Sequence, residues 1–167
     1  MLERSRVEEL YERYGSLVYR RAHRLLGDEQ RAWDAVQEVF MRALKHEREF
    51  RREASPTTWL YRITTNYCLN VLRDAARHSR KLRDQNIPGP AAPGPAQDPD
   101  TRLAITALLA KLPKDLCEIA IYHHVDRMSH DEIASVIGVS RRTVGNRLKD
   151  FQDQALALLG PAVEVFS

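Results

Sequence analysis

Apolar residues along the first half of the chain recur at intervals of three and four, the period that lines one face of an α-helix. Leu10, Tyr14, Leu17, Val18 and Leu25 form one such stripe, ending near Gly27. Asp28 then stands at an N-cap position ahead of a second stripe of Ala32, Val36, Val39, Phe40 and Ala43. Ser55 followed by Pro56 supplies a cap, with proline in the first turn, for a third stripe of Leu60, Ile63, Tyr67 and Val71. Helices with one apolar face each are predicted to pack as a small bundle.

The second half repeats the period with different punctuation. A helix through Leu103 to Leu109 precedes one opened by Pro113 that carries Leu116, Ile119, Ala120 and His123. Ser129, with Glu132 three residues on, makes a capping-box pattern before Ile133, Ala134, Val136 and Ile137. Gly138 permits a sharp turn, and Ser140 caps a last helix that turns Val144, Leu148 and Phe151 inward. A helix, a glycine turn and a second helix opening on polar and basic residues together read as a helix-turn-helix.

Between the halves, Gln85 to Asp100 hold five of the eight prolines (Pro88, Pro90, Pro93, Pro95, Pro99), together with Gly89 and Gly94 and no aromatic residue. Such a stretch has no face to bury and is predicted to be an extended, partly stiff linker. The expected architecture is all-α: a three-to-four-helix bundle over residues 1–84, a linker over 85–100 and a helix-turn-helix domain over 101–167. The two halves show no internal repeat.

Composition agrees with this picture, since 167 residues at 43% hydrophobic content suffice for two small helical cores, and seven glycines leave long stretches without a helix breaker. The charged opening from Met1 to Glu12 does not resemble a secretory signal, and no apolar run approaches the roughly 20 residues that span a bilayer. A cytoplasmic location is expected. Cys68 and Cys117 each lie in an apolar-periodic stretch, which favours buried free thiols over a disulfide. The net charge of +3 is uneven: residues 1–84 carry 18 lysines and arginines against 13 acids, whereas residues 101–167 carry eight of each. If the chain binds nucleic acid, its first half contributes more of the nonspecific attraction to phosphate.

Three groups of polar residues carry candidate chemistry. On the last helix, Arg141, Arg142, Thr143, Asn146, Arg147 and Lys149 form a hydrogen-bonding face opposite the apolar one; arginine and lysine pair with phosphates or guanine edges, and asparagine with adenine. The bland alternative is a helical hairpin with a solvated basic face. On the third helix, Trp59, Tyr61, Arg62, Asn66, Asn70 and Arg73 combine stacking surfaces, amides and cations, the set that unpaired bases require. Trp59 and Tyr67 also fall near the apolar stripe, which makes them core candidates. On the second helix, Asp34, Gln37, Glu38 and Arg42 lie away from Val36, Val39 and Phe40, a polar face suited either to solvent or to another protein's helices. Cys117, His123, His124 and His130 fall within fourteen residues, but in no standard zinc spacing, and helical geometry places His123 and His124 on different faces. No metal site or cofactor is expected. A phosphate-cradling glycine loop, an HExxH motif and a nucleophile–base pairing are all missing, so an enzyme is not expected either.

The segment LPKDLCEIAIYHHVDRMSHDEIASVIGVSRRTVGNRL, Leu112 to Leu148, resembles the carboxy-terminal promoter-binding domain of bacterial sigma factors, although response-regulator output domains carry a similar helix-turn-helix. The first half separates the two. DAVQEVF (Asp34 to Phe40) resembles the sigma segment that binds the clamp helices of RNA polymerase, and FRREASPTTWLYRITTN (Phe50 to Asn66) resembles the segment that opens and reads the minus-ten element. In this order, and separated by a linker, the segments are similar to the extracytoplasmic-function (ECF) group of the sigma-70 family.

The resemblance implies a non-catalytic subunit of RNA polymerase. Asp34, Gln37, Glu38 and Arg42 would face core polymerase, and the third-helix set would read the minus-ten element. Asn66, Asn70 and the loop from Phe50 to Ser55 would form a pocket for flipped bases, while the last helix would read the minus-thirty-five element. It also implies control by an anti-sigma protein. Three residues depart from the family pattern: Trp33 stands where an acid is usual, and Gly145 and Asp150 where the recognition helix is usually basic. The competing expectation is a dimeric helix-turn-helix regulator that does not join the polymerase and binds a palindromic site by itself.

Overall fold

A computed structural model of the chain describes residues 2–52, 55–90, 93–94 and 98–161, and these contain helices and no strand. The helices are α1 (Leu2–Leu26), α2 (Glu29–Lys45), α3 (Glu47–Arg52), α4 (Pro56–Asp84), α5 (Pro99–Lys111), α6 (Lys114–Ala120), α7 (His130–Ile137) and α8 (Arg141–Leu159), with a π-helical turn (Ile121–Val125) continuing α6. The short α3 was not evident in the apolar pattern. The chain divides into two compact units, residues 1–68 and 69–167.

In the first unit, Val18, Val36, Val39, Phe40, Ala43 and Leu60 form the core, with Leu10, Tyr14, Leu17, Trp59, Ile63 and Tyr67 packed around it half-buried. Asp28 caps α2 as expected, accepting from Arg31 N at 2.8 Å. Ser55 Oγ accepts from Thr58 N at the start of α4.

The buried face of α4 differs from the apolar stripe. Thr64, Thr65 and Cys68 are wholly buried beside Leu60, whereas Ile63, Tyr67 and Val71 sit at the edge. Each threonine hydroxyl donates to the carbonyl one turn back, Thr64 to Leu60 at 2.7 Å and Thr65 to Tyr61 at 2.8 Å, so burial leaves neither hydroxyl unsatisfied. Thr65 Oγ1 also accepts from Nε and Nη2 of Arg21, both at 3.2 Å. Arg21 is itself only 4% exposed, with its guanidinium 4.3 Å above the Tyr61 ring. A buried cation thus meets an acceptor and a π face.

In the second unit, Leu108, Leu109, Leu116, Ile119, Tyr122, Ile133, Ile137, Val144, Phe151 and Ala155 are buried. The capping box on α7 is complete in both directions, with Ser129 Oγ accepting from Glu132 N and Glu132 Oε2 from Ser129 N. These bonds hold the Glu132 carboxyl below its ordinary pKa. Gly138 closes α7 in the left-handed region (φ 72), and Ser140 caps α8 through Thr143 N. Leu148, expected inward, is half-buried, and Leu103 is exposed.

The described part of the Pro-rich stretch is not uniformly extended. The chain turns at Asn86 (φ 55), and Ile87 N donates to Leu82 O. A Cβ on Gly89 would come within 2.7 Å of Leu82 Cδ1, so a larger residue there would require the leucine side chain to move. Asp98 caps α5 by accepting from Thr101 N, so this helix starts at the end of the stretch. No helix of the described residues is long and apolar enough to cross a membrane.

Candidate nucleic-acid and protein interfaces

The apolar side of α2 turns inward, leaving Trp33, Asp34, Gln37 and Met41 exposed and Glu38 and Arg42 half-exposed. Arg42 Nε donates to Glu38 Oε1 at 2.8 Å and its guanidinium lies 5.2 Å from the Tyr67 ring centroid. Burial, followed by the Glu38 charge, raises the Tyr67 phenol pKa, so its hydroxyl stays protonated. Trp33, 41% exposed, stacks obliquely on Tyr19 with centroids 4.5 Å apart. This partner from α1 holds a large apolar surface in place beside the acids of α2, a feature of the face that the sequence pattern did not reveal.

Across α2 and α4 lies an open cavity of about 550 Å³ lined by Arg42, His46, Glu49, Trp59, Arg62, Ile63 and Asn66. The structure therefore brings three of the candidate base-reading residues, Trp59, Arg62 and Asn66, to one concave place. It adds His46 and Glu49, whose ring and carboxylate meet at 3.4 Å. Their spacing of three on a helical stretch was the only sequence signal for them. Arg42, assigned to the protein-binding face, also reaches this cavity.

The remaining candidates of the set lie elsewhere. Tyr61 is half-buried under Arg21, and Asn70 is half-buried. Arg73 belongs to the second unit, where it is 9% exposed; its Nη1 donates to Leu112 O at 2.6 Å and to Cys117 Sγ at 3.6 Å. The Arg73 guanidinium is thus engaged within the second unit. Within the loop from Phe50 to Ser55, residues 50–52 end α3, and Glu53 and Ala54 lie outside the described residues.

On α8, Arg141, Arg142, Asn146 and Lys149 are exposed, while Thr143 and Arg147 are half-exposed. Thr143 is engaged by the cap, its Oγ1 2.9 Å from Ser140 Oγ. Two of the arginines are steered by acids from other helices, Arg141 by Asp131 at 3.6 Å and Arg147 by Asp115 at 3.7 Å. Asp115 and Asp131 have no mark in the sequence that would link them to α8. Asp150 is exposed on the same helix.

His123 and His124, expected on different faces, have ring centroids 4.9 Å apart and line one cavity. The reason is the π-helical turn, whose wider winding turns neighbours through a smaller angle than an α-helix does. Among the described residues, no three His, Cys, Asp or Glu side chains group as a metal would need. Both cysteines are buried free thiols.

Residues 10–78 match Sigma-70 region 2 and residues 102–150 match Sigma-70, region 4. The chain is 31% identical over 153 residues to the ECF RNA polymerase sigma factor SigE of Mycolicibacterium smegmatis, covering 84% of this chain and 56% of that protein's length. It is 28% identical to the ECF RNA polymerase sigma factor SigM of Mycobacterium tuberculosis, over 95% of this chain and 79% of the relative. A solved structure of the sigma factor RpoE in complex with the anti-sigma factor NepR from Bartonella quintana shares the fold, with a TM-score of 0.50, 22% identity and coverage of 92% of this chain and 96% of that one. With both regions matched, in order, on helices that hold the corresponding segments, the chain belongs to the sigma-70 family and to its ECF group.

Proposed function

We propose that this chain is a sigma factor that directs RNA polymerase to specific promoters under the control of an anti-sigma protein. The observation that carries the proposal is the presence of region 2 and region 4 in one chain, since a stand-alone regulator needs only the second. Residues 1–84 are assigned to core binding and the minus-ten element, 85–100 to the linker and 101–167 to the minus-thirty-five element. Asp34, Gln37, Glu38 and Arg42 dock on core polymerase. The cavity holding Trp59, Arg62 and Asn66 receives unpaired minus-ten bases, whose capture compensates the few kcal/mol that unpairing costs. Arg141, Arg142, Asn146, Arg147 and Lys149 face the upstream duplex. The mechanism is binding alone, with no catalysis by this chain, and its site of action is the cytoplasm.

The test is retention of the purified chain by core polymerase, followed by transcription from genomic promoter fragments. Retention together with specific starts is expected. Failure of both, with tight binding of the free protein to a palindromic duplex, would establish the stand-alone regulator instead.

A further inference from the structure

Behind α8, and within the second unit, lies a cavity of about 580 Å³, inside the range of small-molecule sites. Its charged lining is entirely of one sign. Arg127 and Lys149 border it along with the imidazoles of His123, His124 and His130, and no carboxylate lines it. Elsewhere on this helix-turn-helix two arginines have acids beside them, Arg141 with Asp131 and Arg147 with Asp115. Among the described residues, neither Arg127 nor Lys149 has such a counter-ion. Apolar surface from Met128, Leu148 and Phe151 completes the wall.

Two further features point to the same place. Gly145 is mid-helix with no left-handed φ, and the nearest atom to a Cβ built on it would be His130 Nδ1 at 3.8 Å, an ordinary contact. Neither the backbone nor crowding requires glycine there, yet it costs about 1 kcal/mol relative to alanine in a helix. What its missing side chain does is leave the cavity open. The other feature is the backbone that carries Arg127 and the imidazoles of His123 and His124. Ile121–Val125 wind as a π-helical turn, and Arg127 takes φ 58, a conformation rare for a residue with a side chain. Such departures concentrate at ligand sites. His123 Nδ1 lies 3.3 Å from the Met128 carbonyl, which can only accept, so this bond fixes the ring against the wall.

We infer that this cavity is a binding site for a small organic anion, a carboxylate or phosphate monoester attached to an apolar ring, with Arg127 and Lys149 taking the charge and Met128, Leu148 and Phe151 the ring. The site shares Lys149 with the proposed upstream-duplex face and otherwise does not rest on that reading, and its test needs neither polymerase nor promoter.

The full chain would be titrated with phenyl phosphate, benzoate and inorganic phosphate, following the imidazole signals of His123, His124 and His130 by NMR and the heat by calorimetry. Saturable one-to-one binding of an aryl anion is expected, with inorganic phosphate weaker because it leaves the apolar wall uncovered. Gly145→Leu, which fills the cavity, should weaken binding by roughly tenfold or more. Gly145→Ala should weaken it less while raising the melting temperature, so lost binding cannot be ascribed to unfolding. Arg127→Gln should also weaken it. Absence of saturation up to ~10 mM probe, or equal binding by Gly145→Leu, would overturn the inference. So would competition in which duplex DNA displaces the probe while Arg127→Gln weakens DNA and probe alike, since the anion would then be the phosphate backbone.

Discussion

A side chain's polarity does not by itself say where it lies. Arg21, Thr64, Thr65 and Arg73 are all buried, and no apolar periodicity marks them. The threonines satisfy themselves on their own helix, whereas Arg21 needs Thr65, 44 residues away, and Arg73 needs the Leu112 carbonyl, 39 residues away. Long-range partners of this kind are invisible to local pattern. The burial of the two cysteines, by contrast, was legible from their neighbours. Burial pushes the Cys68 thiol from its ordinary value of 9.0 up to about 12, against a smaller lowering by Arg21. The native protein should therefore resist alkylation by iodoacetamide at neutral and mildly alkaline pH and react once unfolded. The sign of the linked stability change follows from the same shift. Below about pH 9 the thiol is protonated in both states; above it the unfolded chain loses its proton and the folded one keeps it until about pH 12. Stability should fall across that window by about 1.4 kcal/mol per pH unit for this group. Urea midpoints measured at increasing pH should fall less steeply in Cys68→Ala; parallel curves would show that the thiol does not contribute.

Helix ends proved easier to read than helix faces, because a cap is decided within four residues. Asp28, Ser129 with Glu132, and Ser140 all cap where expected, and Gly138 makes the turn between α7 and α8. The π-helical turn after α6 was not legible: Ile121 to Val125 carry no residue that distinguishes it from a continuing α-helix, and the geometry comes from how the segment packs. The same holds for α3, too short to show a period. Gly138 gives the most direct test at this level. Its φ of 72 lies in the left-handed region, and nothing stands within 4 Å of a built Cβ, so any cost of substitution is that of the backbone alone. Gly138→Val should destabilise the protein by about 1–2 kcal/mol, and Gly138→Asn by less, since asparagine tolerates this region. Thermal unfolding of the three proteins would check the order. A neutral Gly138→Val would mean that the turn relaxes to another conformation.

For the whole chain, the proposed division of labour between two DNA-reading helices can be tested because their substrates differ in strandedness. Asn66 lines the cavity between α2 and α4, next to Arg62 and Trp59, where an unpaired base would have both stacking surface and edge contacts. Arg147 sits on α8 with its Nε 3.7 Å from Asp115, a pairing that points the guanidinium without enclosing it. Asn66→Ala should weaken promoter opening and binding of a fork-junction probe with an unpaired minus-ten strand, leaving an upstream duplex probe unaffected. Arg147→Ala should do the reverse. If Arg147 contacts a base edge, its loss should cost about 1–3 kcal/mol and relax one position of the upstream element; if it contacts phosphate, all sequences should weaken alike and the salt slope should flatten by about one ion. Asp115→Asn separates steering from contact: it leaves the arginine charge in place, so a change in sequence preference without a change in salt slope would assign Asp115 to orienting Arg147. Measured with the variants assembled on core polymerase, equal losses on both probes for Asn66→Ala and Arg147→Ala would refute separate roles for the two helices.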